Sequence, residues 1–338
     1  MKVKVLIATV DSKYAGFISD NISEFHSDKI EVNVCTDHEG FMQTTSKRKY
    51  DVILIDPVLI GNIDLNISSL PILLWSDHTP DETGEDRLNT ITKIRKHQRI
   101  SAIVSSILEC YAKVSKPGND PDSRYANITA VWSPAGGAGK TTVSLAYAAA
   151  NVAEGKDVFY LNLEDFSGVP GYFGKSGKSI SSVFDLLDNN TGNVKMFIQG
   201  VSCTEDGITY LCSPENFEDM YILSNDNINE LIESCAGLAD ELIVDLPCVY
   251  DSRTKKSFEV ADKIFIVTGP ECIGDAKLAQ FKSQNDVYEN IKDKVVFVSN
   301  KNKESTGATS TGVISLPYVN SERNTDVYRV LSETGFRM

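Results

Sequence analysis

The chain is poor in the residues that build metal and disulfide frameworks. Its 338 residues include four histidines (His26, His38, His78, His97), far apart in sequence, and seven cysteines with no CxxC pair. That excludes zinc-finger spacing, and the odd, scattered cysteines read as reduced, mostly structural thiols. Positive charge is also short: 33 Lys and Arg face 47 Asp and Glu, a net charge of −14. Broad binding to nucleic acid or anionic lipid needs basic surface, so neither is expected, and no sequence-specific nucleic-acid partner is expected either. No apolar run approaches a membrane span, and "MKVKVLIATVDS" reads as a first strand rather than a signal peptide. The expected location is the cytoplasm. Internal repeats and low-complexity tracts are not seen.

What is present is a globular balance, 41% hydrophobic and 24% charged, in a chain long enough for two domains. The sharpest composition shift is "KVSKPGNDPDSRYAN" at 113–127, where Pro, Gly, Asn and Asp cluster. We therefore expect one domain over 1–115, a linker over 116–126 and a second domain over 127–338. In the first, "KVKVLIAT", "IEVNVC", "YDVILID" and "LPILLW" are strand-like and alternate with the helical stretches "SKYAGFISDNISEF" and "HEGFMQTTSKRK". The second repeats the alternation with "DVFYLNL", "ITYLCS", "DELIVDLP", "DKIFIVTG" and "KVVFVSN". Such alternation predicts α/β domains with mainly parallel sheets.

"VWSPAGGAGKTT", residues 131–142, is nearly GxxxxGK[ST] but lacks the first glycine. A β-rich run precedes it, and an alanine-rich helical stretch follows, stopped by Gly155. In a strand–loop–helix, Gly136, Gly137 and Gly139 let the backbone wrap an anion and present N–H groups and the helix N-terminus to it. Lys140 then reaches the β/γ-phosphates, Thr141 offers its hydroxyl to Mg²⁺, and Thr142 completes the set of nucleotide-contacting residues.

Together with "ELIVDLP" further on, this loop resembles the deviant Walker A ATPases of the MinD/ParA type over most of 126–338. The resemblance implies ATP and Mg²⁺ as ligands. It makes Asp245 the Walker B aspartate, supporting Mg²⁺ through water. It places Asn300 of "VFVSNK" on adenine, with Pro317 and Tyr318 of "LPYVNSERN" flanking the base. It also exposes departures. The family's signature lysine falls on Ala135, and its pair of aspartates falls on Asn162 and Glu164, with Asp165 one step further. Glu164 is then the candidate for positioning the attacking water. Phosphoryl transfer depends on positioned charge, so the implied activity is at most a weak ATPase.

Residues 1–115 resemble a response-regulator receiver domain, which implies a flavodoxin-like fold. Asp56 ends "YDVILID" where the phosphoacceptor stands, Ser76 ends the next strand, and Lys96 in "IRKHQ" sits where the receiver lysine sits. Receivers hold Mg²⁺ with two acids after the first strand, and "IATVDS" offers only Asp11. A degenerate, non-phosphorylated receiver is expected, with Asp56 an ordinary polar strand end.

A receiver-like domain followed by a deviant Walker ATPase resembles the TadZ/CpaE proteins. That resemblance implies a homodimer that localises Tad-type pilus or secretion assembly proteins, recruited to a pole or a membrane-associated complex and touching membrane only through partners. Two alternatives stay open: a cycling ParA/MinD-like ATPase, and a regulator controlled by phosphorylation of Asp56. The C-terminal "DVYRVLSETGFRM" mixes Arg329 and Arg337 with Asp326 and Glu333, which predicts a packed helix rather than a membrane anchor.

Overall fold

The computed structural model describes residues 2–27, 29–60, 69–76, 91–115, 126–175, 177–189, 192–270, 272–302, 313–321 and 323–336. The chain divides into two compact units, Met1–Asp120 and Pro121–Met338. The expected linker falls outside the described residues except for Ala126, as does Arg337.

Unit 1 alternates β1 (Val3–Ala8), α1 (Ser12–Phe25), β2 (Ile30–Cys35), α2 (His38–Lys47), β3 (Val52–Ile55), α3 (Pro57–Ile60), β4 (Leu70–Trp75), β5 (Lys93–Arg95) and α4 (Ile100–Val114). Its five strands are all parallel, in the order β2-β1-β3-β4-β5. β3 is the unbroken apolar run VILI, buried throughout, as a strand covered on both faces must be. Asp11 caps α1, its carboxylate accepting from Tyr14 N–H at 3.0 Å, and Asp37 caps α2 through Gly40 N–H at 2.7 Å. The strand order reverses between β1 and β3, which opens a crevice at their carboxyl ends.

Unit 2 begins with β6 (Asn127–Trp132), α5 (Lys140–Ala153), β7 (Val158–Asn162), α6 (Ser181–Asp188), α7 (Val194–Val201), β8 (Cys203–Glu205) and β9 (Ile208–Tyr210). It continues with α8 (Asp219–Ile222), α9 (Asn225–Ala236), β10 (Glu241–Asp245), α10 (Ser252–Val260), β11 (Lys263–Thr268), α11 (Cys272–Lys282) and α12 (Asn285–Ile291), and ends with β12 (Val295–Asn302), β13 (Val313–Pro317) and α13 (Asn324–Gly335). The eight-stranded sheet runs β13-β12-β11-β6-β10-β7-β9-β8. β10 lies between β6 and β7 and is wholly buried, including Glu241 and Asp245 at its two ends. Only β8 is antiparallel, joined to β9 through Asp206 (φ 51°) and Gly207 (φ 79°), the left-handed pair a two-residue hairpin needs. α5 covers the sheet with an alanine-rich face and stops at Gly155, whose φ is 84°.

The C-terminal helix packs as expected. Tyr328 and Leu331 of α13 are buried, and Phe336 meets Tyr147 of α5 edge to face at 5.3 Å. Among the described residues, no helix is long and apolar enough to cross a membrane.

Candidate functional site

The loop from β6 to α5 lies at the carboxyl end of the sheet. Gly137 (φ 75°) and Gly139 (φ 90°) hold left-handed conformations that few other residues adopt. Gly139 is doubly required, because a Cβ there would come 2.4 Å from Asn300 Nδ2. Gly136 and Gly137 are exposed, leaving the outer face of the loop open. The end of β12 buttresses it: Asn300 Nδ2 donates to Ala138 O at 3.0 Å, and Lys301 Nζ donates to Gly137 O at 2.8 Å. Asn300 is buried, and one of its amide N–H groups is taken by the loop. Pro317 and Tyr318 lie one strand further out, at the end of β13, with Tyr318 exposed.

Lys140, the first residue of α5, is buried, and its Nζ bridges Glu164 Oε1 at 3.2 Å and Cys248 Sγ at 3.1 Å. The Cys248 thiol in turn donates to Ala135 O at 3.7 Å. Burial pulls the lysine pKa down, but Glu164 and Asp245 outweigh it, so the ammonium titrates above its ordinary range and stays charged. Ala135 brings no cation. Its N–H donates to Ser133 Oγ at 3.1 Å. Thr142 pairs with the Tyr172 hydroxyl at 3.0 Å.

Asp245 is fully buried. Its Oδ2 accepts from Tyr160 Oη at 2.8 Å and from Asn162 Nδ2 at 3.1 Å, whereas Oδ1 has no hydrogen-bond partner. Burial, and then the charge of Glu164, push this carboxyl up to about 7. The Thr141 hydroxyl lies close enough to favour the charged form without making a bond of ordinary geometry to Oδ1. A buried carboxylate oxygen without a donor is costly unless a cation or its water supplies the missing partner. Among the described residues, no cluster of three or more His, Cys, Asp or Glu could hold a metal by itself. The donor set therefore fits Mg²⁺, which takes few protein ligands and completes its shell with phosphates and water. Thr141 would ligate it and Asp245 would stand behind.

No protein-family model matches the chain, and no curated protein matches it. Solved structures do. A ParA-family ATPase from Chlorobium tepidum TLS aligns at 17% identity and TM-score 0.51, over 62% of this chain and 95% of its own. The septum site-determining protein MinD of Pyrococcus horikoshii OT3, complexed with Mg-ADP, aligns at 15% identity and TM-score 0.44, over 62% of this chain and 95% of its own. Cobyrinic acid a,c-diamide synthase from Mycobacterium smegmatis, with bound ATP analogue and magnesium, aligns at 17% identity and TM-score 0.46, over 62% of this chain and 93% of its own. The chain contains a ParA-type P-loop fold.

In unit 2 the loop holds the position that open α/β sheets use for ligands, beyond the carboxyl ends of the strands. A cavity of about 270 Å³ at the opposite end, between the starts of β6, β10 and β11, is lined by Glu241, Lys156 and Lys263, and it is remote from the loop. The candidate site is the loop, where the lysine, the buried aspartate and the glycine backbone converge.

Two further residues shape the end of β7. Arg253 of α10 is 2% exposed, and its guanidinium joins Asp165, Asp251 Oδ2 (2.8 Å from Nε) and Leu163 O (3.1 Å from Nη1). It thereby fixes the backbone that presents Glu164, whose own N–H donates to Asn162 Oδ1 at 3.1 Å. Asp165 is thus an anchor, not an open carboxylate, and it also accepts from Tyr221 Oη at 2.8 Å. Beside it, Phe166, Phe217, Tyr221 and Ile222 are exposed, with the Phe166 and Phe217 rings stacked at 5.5 Å. Cys248, Lys301 and Arg253 were not singled out from the sequence. Only "NK" ending a strand hinted at Lys301.

In unit 1, Asp56 is no ordinary strand end. It is buried, and its Oδ2 takes Lys96 Nζ and Thr9 Oγ1, each at 3.1 Å, while Lys96 also donates to Thr9 at 3.1 Å. The structure brings Asp56 and Lys96 together but commits Asp11 to capping α1, where the Tyr14 N–H lowers its pKa. Ser76 follows β4 and is half-buried.

Proposed function

We propose that this chain is an ATP- and Mg²⁺-binding localisation factor of the TadZ/CpaE kind. In this reading it self-associates in the cytoplasm and presents a surface to Tad-type pilus or secretion components at a pole or a membrane-associated complex. Weak or absent hydrolysis belongs to the same reading. The observation that carries it is the loop with Lys140 held between Glu164 and Cys248, beside a buried Asp245 whose Oδ1 lacks a partner. The residues that would hold the nucleotide are Lys140, which would exchange Glu164 for phosphate oxygens, the loop N–H groups and the α5 N-terminus, with Thr141 as the hydroxyl that would serve the cation. Bound ATP·Mg²⁺ supplies the negative charge and the γ-phosphate on which self-association would depend. The exposed aromatic group at Phe166 and Phe217, two residues from Glu164 at its near end, supports a contact surface coupled to the site. Ala135 and Asn162, both uncharged, support slow turnover.

Unit 1 fits a flavodoxin-like, receiver-like domain by its 2-1-3-4-5 strand order. Thr9 at Asp56 and the capping role of Asp11 leave it without a pair of acids for Mg²⁺, which supports a non-phosphorylated receiver.

Calorimetry of the full chain with ATP and Mg²⁺ tests the site. Lys140→Ala is expected to weaken binding by roughly a hundredfold, the worth of a charge-assisted bond to phosphate. Unchanged affinity would sink the assignment. Ala135→Lys restores a cation near the developing negative charge and is expected to raise steady-state phosphate release by about a hundredfold, or about 3 kcal/mol. Rapid release by the wild type would instead favour a cycling ATPase.

A further inference from the structure

Away from the loop, two cysteines converge on one glycine. Cys203 in β8 stands opposite Tyr210 in β9, and Cys212, two residues beyond Tyr210, bridges Ser179. Gly177 N–H donates to Cys212 Sγ at 3.0 Å. A Cβ at Gly177 would lie 2.5 Å from Cys203 Sγ and 3.4 Å from Cys212 Sγ, so the sulfurs meet over a position open only to glycine. Both side chains are partly exposed. Cys35 and Cys235 differ: both are buried, and burial raises both thiols.

We propose that Cys203 and Cys212 form a reversible dithiol–disulfide site, oxidised by small-molecule disulfides. The Gly177 N–H donates to Cys212 Sγ and favours its thiolate, so Cys212 is the nucleophile near neutral pH. Its thiolate attacks one sulfur of the small disulfide, forming a mixed disulfide at Cys212 and releasing one small thiolate. Cys203 then loses its proton to solvent and attacks Cys212 Sγ, expelling the second small thiolate, which takes up a proton. Two protein thiols lose two electrons and two protons, and the small disulfide becomes two thiols. A partly exposed pair of this kind belongs to the labile class of disulfides rather than the structural one. The site adjoins the nucleotide helix through packed groups: Tyr210 stacks on Phe173 at 4.2 Å, and the neighbouring Tyr172 bonds Thr142. The proposal itself does not rest on the nucleotide reading.

The test is mass spectrometry of the full chain after incubation with oxidised glutathione. A 203–212 cross-link is expected, reversed by dithiothreitol. Cys203→Ser is expected to trap one glutathione adduct on Cys212, and Cys212→Ser to leave Cys203 largely unmodified. Iodoacetamide labelling at about pH 6.5 is expected to modify Cys212 roughly tenfold faster than Cys203 in the reduced wild type. Stable adducts on both cysteines of one wild-type molecule would overturn the proposal by showing that the sulfurs do not reach each other. Two unmodified thiols at every oxidant ratio would overturn it as well.

Discussion

Arg253→Ala is expected to lower the thermal midpoint of the ParA-type unit by on the order of 10 °C. The guanidinium is buried and joins Asp165, Asp251 and the Leu163 carbonyl, so truncation strands two carboxylates and an acceptor together. Removing one partner of a buried ion pair costs about 3–5 kcal/mol, and the partial exposure of both aspartates places this case at the lower end. For a unit of this size, each kcal/mol shifts the midpoint by roughly 2–4 °C. Arg253→Lys keeps the charge but cannot serve three acceptors in a fork, and it is expected to recover less than half the loss. Full recovery by lysine would show that charge alone matters. No loss in the alanine variant would show that the network contributes nothing.

Asn162→Asp is expected to produce a stability loss that depends on pH and on magnesium. The wild-type amide donates to Asp245 Oδ2 at 3.1 Å, and an aspartate there would replace a donor by a second buried charge. Asp245 already titrates near 7 in the folded chain, against 3.8 for an ordinary aspartate. Between those values the folded state binds more protons than the unfolded state, so stability falls as pH rises through the window and levels off above it. The second carboxylate steepens that fall. With chelator at about pH 8, the variant is expected to melt roughly 6–12 °C below wild type, an estimate of about 3 kcal/mol. At about pH 5.5, where the pair shares a proton, the gap should shrink. Millimolar magnesium should recover much of the loss at the higher pH. An equal midpoint in chelator at both pH values would rule out the proximity of position 162 to Asp245.

The sequence made the long elements legible because their burial follows their pattern. VILI in β3 and ELIVD in β10 are continuous runs, and Gly155 stops α5 where the helical periodicity ends. β9 was legible within "ITYLCS", but its partner β8 escaped because three residues are too few for alternation to show, although Asp206-Gly207 is itself a strong turn signal. In the site, Lys140 and the glycines were legible because they are adjacent in sequence. Cys248 and Lys301 were not, since they reach the loop across 108 and 164 positions. Arg253 sits in "SRTKKSFEV", a stretch that looks solvated, and only the fold supplies its buried partners. Asp56 and Lys96 were named from the resemblance, but their contact and the share Thr9 takes in it come only from the fold.

The Lys140–Glu164 contact means that the chain carries its own stand-in for the anion it would bind. Without it, only the Asp245 charge and the Cys248 sulfur would offset the burial of the ammonium. With Glu164 in place, foldedness and occupancy are decoupled. On the proposed reading, the arrival of an anion is then a substitution of one negative partner for another rather than the rescue of an unfinished core.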